Sequence, residues 1–376
     1  MRRLITGFFA GMALAGAIAS CGRQSADNSG TPGDTLTSNA TLLTIVDHGS
    51  YTEAVISDPW GEKGAVMARL ALVDRDADVP ADADDGILVR VPLTRSAVFS
   101  SVHTAPMFEL GAGHALTAVA DGSYFPPSDT VGILLAEGRV ADVGSSSSPS
   151  VERLLALDCD AVLLSPMQGV DNGMLARSGI AAIPMADYME QTPLGRAEWI
   201  KLLGILYGCA ERADSIYDAV VADYSSMCRR AEQTPARPRV LTENITGGVW
   251  YVPAGKSYMA RLLSDAGAEY PWSDTDSEGS LSLDASMVLD RASDADVWLI
   301  RCYGSVPDYA SLRRDNPAAA HIKAFRNKNI YVCDTSRKNI FNDIAFHPER
   351  VLHDYVEILH PGATAPDSAL IYFERL

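Results

Sequence analysis

Ser100, Ser101 and His103 follow the apolar run 97–99, and Tyr124 follows another at 116–120. Further along, Trp250, Tyr251 and Lys256 accompany the run 248–252, Arg301 and Tyr303 follow 297–300, and Arg337 and Lys338 come after 330–332. Each group stands where a strand would end. In open parallel sheets, loops and helix N-termini at the C-terminal strand ends gather around ligands. The chemistry these residue types offer is recognition. Aromatic faces suit a flat macrocycle or catechol rings, and Lys and Arg suit carboxylates or a phosphate. His103 can serve as an axial ligand to a macrocycle's metal or as a capping, hydrogen-bonded histidine. Ser100 and Ser101 suit helix caps as well as a ligand, and Trp250 suits a core as well as a cleft wall. Patterns for catalysis are missing from the sequence: Gly144-Ser-Ser-Ser-Ser-Pro is no nucleophile elbow, no HExxH occurs, and the histidines are scattered. The chain reads as a non-enzyme with no cofactor of its own and no metal site.

Those positions require alternating strands and helices. Residues 43–46, 51–56 and 66–73 read as short strands separated by Gly, Asp and Pro turns, a β-rich N-terminal extension. From Val89 strands alternate with helices, the pattern of a parallel α/β sheet, and this first lobe closes near residue 185. Residues 193–232 are helical at a period of 3.6 with no strand signal, broken only near Gly208. The part beginning at Ala210 is long enough to cross between two lobes, about 30 Å at 1.5 Å per residue. A second α/β set follows the Pro-rich stretch 234–238, and a last helix covers 348–359. The expected fold is therefore two Rossmann-like lobes bridged by one long helix. Its divisions are residues 41–209 for the first lobe with its extension, 210–233 for the bridge and 234–376 for the second lobe.

Arg2 and Arg3, the apolar run 4–18 and Ile18-Ala-Ser-Cys21 form a secretory leader whose end resembles a bacterial lipobox. On that reading Cys21 becomes a diacylated N-terminus, residues 22–40 are a flexible tether rich in Ser, Gly and Asp, and the folded part lies outside the cytoplasm, on the periplasmic side of a membrane. The 376 residues, 47% hydrophobic and 21% charged, are ample for two well-cored domains. A net charge of −17 argues against nucleic acid as a partner, since phosphate backbones need clustered Lys and Arg. Cys159, Cys209, Cys228, Cys302 and Cys333 show neither a CxxC pair nor zinc spacing. Burial as small apolar residues is expected for most of them, and one disulfide is open but unassignable.

Val98-Phe-Ser-Ser-Val-His, Phe108-Glu-Leu-Gly-Ala-Gly, Val143-Gly and Pro149-Ser-Val-Glu-Arg-Leu-Leu-Ala-Leu-Asp-Cys-Asp-Ala-Val-Leu-Leu-Ser succeed one another in the first half. Leu194-Gly-Arg-Ala-Glu-Trp-Ile-Lys-Leu-Leu-Gly, Trp250-Tyr-Val-Pro-Ala-Gly-Lys-Ser and Ala324-Phe-Arg-Asn-Lys-Asn-Ile-Tyr continue the series. In order and spacing they resemble the solute-binding proteins that feed iron-siderophore, haem and cobalamin ABC importers, over residues 89–361. The resemblance implies one ligand held between two lobes with little hinge closure, and delivery to an ABC permease and its ATPase. An iron complex, siderophore or haem, is the expected ligand, with a corrinoid as the alternative. It also implies that Glu152 and Asp284, matching one docking carboxylate on each lobe, pair with permease arginines; the Asp stands where Glu is commoner. Both fall in a first helical turn, where the helix dipole favours acids whatever the partner. An extracytoplasmic hydrolase and a surface lipoprotein that only binds other proteins are the competing readings.

Overall fold

The computed structural model describes residues 33–83, 86–170, 173–363 and 369–376. The expected leader, Cys21 and residues 22–32 of the expected tether lie outside the described residues. Among the described residues no helix is long and apolar enough to cross a membrane.

The chain is structured earlier than a tether ending at residue 40 would allow. Asp34–Thr35 pairs antiparallel with Val46 and Asp47, the edge of a five-stranded sheet that continues through Leu43–Asp47, Thr52–Ser57, Val66–Asp74 and Ile87–Val91. Period-two alternation makes this sheet one-sided: Leu43, Ile45, Ala54 and Ile56 face inward and join the first lobe's core, while Thr44 is exposed. The last strand, expected to open the α/β pattern, instead runs parallel to Val66–Asp74 within the extension.

Two buried carboxylates fasten this extension to the first lobe. Glu198 accepts the backbone N–H groups of Ser38, Asn39 and Ala40 at 2.9, 2.7 and 2.7 Å. Glu190 accepts those of Thr41 and Leu42 at 3.0 and 2.9 Å, and the indole N–H of Trp199 at 3.1 Å. A carboxylate out of water needs such a shell of donors, and the N–H groups need acceptors, so each satisfies the other.

The first lobe is a five-stranded parallel sheet in the order Ala181–Pro184, Ala161–Leu164, Ser96–Val98, Leu116–Val119, Ala141–Asp142. The second has Val240–Thr242, Val297–Cys302 and Ile330–Asp334 in parallel, edged by the antiparallel Glu374–Arg375. The run 248–252 lies outside that sheet. It forms the middle strand, Val249–Pro253, of a separate antiparallel sheet, entered through the two-residue turn Gly247-Gly248 with both φ positive.

Between the lobes runs Ala210–Gln233, a helix of 24 residues and about 36 Å. Gly208, at φ 68°, separates it from the preceding helix Ile200–Leu206, and a further break at Glu198 sets off Pro193–Ala197. Its inward stripe serves both lobes: Ala213, Tyr217 and Val220 belong to the first core, Tyr224 and Ala231 to the second. The lobes also touch directly, where helix Ile340–Phe346 packs on helix Ser101–Glu109. There Ser101 Oγ donates to Asn342 Oδ1 at 3.1 Å and His347 Nε2 donates to Glu109 at 2.8 Å. All five described cysteines are free thiols.

Candidate ligand-binding cavity

Four strand ends of the first lobe converge on one cavity of about 670 Å³. Ser100 and Ser101 follow the central strand, Asp121 and Tyr124 follow Leu116–Val119, Ser165 and Met167 follow Ala161–Leu164, and Asp187 and Tyr188 follow Ala181–Pro184. The walls combine Phe99, Phe125 and Val170 with serine hydroxyls. Tyr124, 81% exposed, and Met167, 51% exposed, stand at the rim.

One buried, hydrogen-bonded trio braces the wall. His103 Nε2 donates to Asp187 Oδ1 at 2.7 Å, and Arg196 Nε donates to Asp187 Oδ2 at 3.0 Å, with His103 and Asp187 both 1% exposed. Burial opposes ionisation of Asp187, but His103 and Arg196 outweigh it and hold the carboxyl below its usual range. The arginine reaches across the seam as well, its guanidinium lying 5.5 Å from the ring centroid of Tyr258 in the second lobe.

The four first-lobe residues singled out by sequence all line the cavity, though in different roles. Ser100 caps helix Ser101–Glu109 by accepting Val102 N–H at 3.4 Å, and Ser101 binds Asn342 across the seam. His103 is committed through Nε2 to Asp187, so that nitrogen is no axial metal ligand, and Nδ1 is buried without a partner. Tyr124 alone projects freely.

The second-lobe residues are placed otherwise, and none lines this cavity. Trp250 corrects the expectation of a ligand wall: it is fully buried, stacks on Trp298 at 5.6 Å between ring centroids, and its indole N–H donates to Thr242 O at 2.9 Å. On a strand with one covered face, the neighbour points out, so Tyr251 is half exposed. Lys256 is exposed and pairs with Asp276 at 3.2 Å. Arg301 is paired with Glu243 and lies 5.6 Å from the Phe341 ring centroid, beside the Asn342 that meets Ser101. Tyr303 is 81% exposed. Arg337 and Lys338 border a different groove, where Lys338 Nζ donates to Ile371 O at 3.1 Å.

Sequence reasoning missed Asp187, Tyr188, Met167 and Arg196. The first three obey the same strand-end rule and were open to it; Arg196, inside helix Pro193–Ala197, carries no local signal. Among the described residues no three His, Cys, Asp or Glu side chains gather to hold a metal ion.

Glu152 and Asp284 are exposed at the starts of helices Val151–Ala156 and Ala285–Ala292, one in each lobe. Asp284 makes no side-chain cap bond, whereas Glu152 accepts from Ser150 Oγ at 3.3 Å.

Two α/β lobes on a single helical backbone, with a first-lobe pocket whose residues Ser101 and Arg196 also reach the second lobe, define a two-lobed solute-binding protein. The periplasmic binding protein family matches residues 99–336, well over half the chain, and the protein belongs to that family. Two uncharacterised lipoproteins of Methanocaldococcus jannaschii are similar to it: one is 26% identical, covering 86% of this chain and 81% of its own, and the other 25% identical, covering 90% and 86%. Among solved structures, the TroA-like periplasmic binding protein FepB of Veillonella parvula matches with a TM-score of 0.60 at 14% identity, over 77% of this chain and 96% of that one. The periplasmic haem-binding protein HutB of Vibrio cholerae matches with a TM-score of 0.56 at 18% identity, over 71% and 99%. An ABC-type Fe3+-hydroxamate transport protein of Saccharomonospora viridis matches with a TM-score of 0.54 at 22% identity, over 72% and 94%.

Proposed function

We propose that this protein is the lipid-anchored substrate-binding component of an ABC importer, capturing an iron complex, siderophore or haem, and handing it to the permease. The observation that carries this reading is the cavity itself. Serine hydroxyls in the walls and a rim of Tyr124, Tyr188 and Met167 favour a flat, aromatic, hydrogen-bonding ligand over a bare cation. With carboxylate Asp187 neutralised by its own partners, iron is best received inside a chelator rather than by protein ligands. Similarity to proteins named for haem and Fe3+-hydroxamate transport supports the ligand class. The lipobox-like sequence ending at Cys21 and the relatives named as lipoproteins support the anchor and a site outside the cytoplasm.

Titrating the purified protein with haem, a ferric hydroxamate and a corrinoid, followed by visible absorbance, tests the reading. Saturable one-to-one binding of haem or the hydroxamate is expected; the idea fails if neither binds. Exposed Glu152 and Asp284, one per lobe, are proposed to dock on the permease. The double variant Glu152→Lys/Asp284→Lys is expected to abolish uptake with ligand affinity intact.

A further inference from the structure

On the second lobe, remote in sequence from the cavity and sharing no residue with it, lies a groove of about 800 Å³ lined by Tyr309, Phe325, Arg313, Arg314, Arg326 and Lys328. All four cations are exposed. Arg375, on the strand antiparallel to Ile330–Asp334, joins them by donating to Lys328 O at 3.0 Å. Only Arg314 has a carboxylate partner, the adjacent Asp315 at 2.9 Å; among the described residues Arg313, Arg326, Lys328 and Arg375 pair with none. In a chain of net charge −17, where Lys256 and Arg301 of the ligand-side loops are paired with its own acids, four positive groups around one depression, with Arg375 bonded beside them, stand out.

Ordinary surface chemistry explains part of this. Arg313 and Arg314 fall in the last turn of helix Tyr309–Asp315, where the dipole favours cations. Arg326, at the end of the short helix Lys323–Arg326, shares that explanation. It does not cover Lys328 and Arg375, which lie outside those helices and add repulsion. Nor does it explain Lys328 at φ 55°, a left-handed conformation that glycine or asparagine adopts at lower cost. Behind the cations, the ring of Tyr309 meets Phe325 edge-on at 5.3 Å, and the Tyr309 hydroxyl is buried with no hydrogen-bond partner. Exposed guanidinium forks and an ammonium around a recess match a group with several acceptor oxygens and more than one negative charge.

We infer that this groove is a phosphate-binding site, filled by a free phosphate or by the phosphate of a lipid headgroup whose glycerol part lies on Tyr309 and Phe325. The test is titration of the purified full chain with inorganic phosphate and, separately, with soluble dihexanoyl-phosphatidylglycerol, by calorimetry and phosphorus NMR. At least one probe is expected to bind saturably, more weakly as salt is added. The double variant Arg313→Gln/Lys328→Gly is expected to bind about tenfold more weakly, the effect of losing roughly one charge-assisted hydrogen bond. Lys328→Gly suits the backbone at that position, so folding is not at risk, and circular dichroism verifies it. Lys256→Ala, which removes a cation elsewhere, is expected to leave binding unchanged. Binding of phosphate assigns a small-anion site; binding of the lipid alone assigns a headgroup site. Failure of both probes, or undiminished binding by the double variant, overturns the inference.

Discussion

The two lobes are built on the same plan, yet their strand ends behave differently. In the first lobe the loops after four strands diverge and leave a cavity, with a carboxylate–arginine–histidine trio set into its wall. At the corresponding ends in the second lobe, polar side chains are spent internally: Arg301 on Glu243, Lys256 on Asp276, Lys338 on a backbone carbonyl and on Glu374. A strand-end cation is a ligand residue only if the chain's own acids leave it free. An acidic chain makes that competition severe: three of the four expected basic residues, Lys256, Arg301 and Lys338, have partners within the fold, while Ser100, Ser101, His103 and Tyr124 of the first lobe line the cavity.

The largest test of this contrast removes Trp250. Because the indole fills the second core and donates to Thr242, Trp250→Ala is expected to destabilise by about 3–5 kcal/mol in urea unfolding while the folded fraction keeps its ligand affinity. A loss of affinity with unchanged stability would return Trp250 to the cleft.

Next comes the seam that holds the contrasting lobes together. Burial works against a charge on His347, but hydrogen bonds to Glu109 and Glu349 outweigh it and push its pKa up to about 9. Around it, the His347 bond holds the Glu109 carboxyl below its usual range, with smaller help from Arg350 and Arg212, and Arg350 also approaches Glu349 at 3.6 Å. Since the folded value lies above the ordinary histidine value of about 6.5, the stabilisation is complete below that pH and is lost as pH rises through 9. Allowing for screening of this partly buried group, unfolding free energy is expected to fall by about 1–2 kcal/mol between pH 7 and pH 10. His347→Gln should flatten that profile, and a wild-type profile already flat would dismiss the ion pair.

Tyr124→Ala is the mirror image of Trp250→Ala. It removes an exposed aromatic face from the rim, so stability should stay within about 0.5 kcal/mol, while haem or ferric hydroxamate binding weakens by about 1 kcal/mol. Smallest of all, Lys256→Ala should alter neither quantity measurably, because an exposed pair with Asp276 contributes little. Any sizeable loss of ligand there would show that the second lobe contributes a cation after all.

Much of the architecture was legible from residue order alone. Alternating apolar runs marked Leu43–Asp47, Thr52–Ser57 and Val66–Asp74, and a long 3.6-period stretch marked Ala210–Gln233, because strand pleat and helix pitch are local properties of neighbouring residues. Strand-end position also brought Ser100, Ser101, His103 and Tyr124 to the cavity. What local pattern could not convey was the company each side chain keeps. Asp187 meets His103 from 84 positions away, Glu243 meets Arg301 from 58, and Glu198 gathers Ser38 from 160. Whether a polar side chain faces ligand or is consumed within the fold depends on such distant partners. Their proximity exists only once the sheets have packed, since burial and charge pairing are set by the whole surrounding volume and not by sequence neighbours.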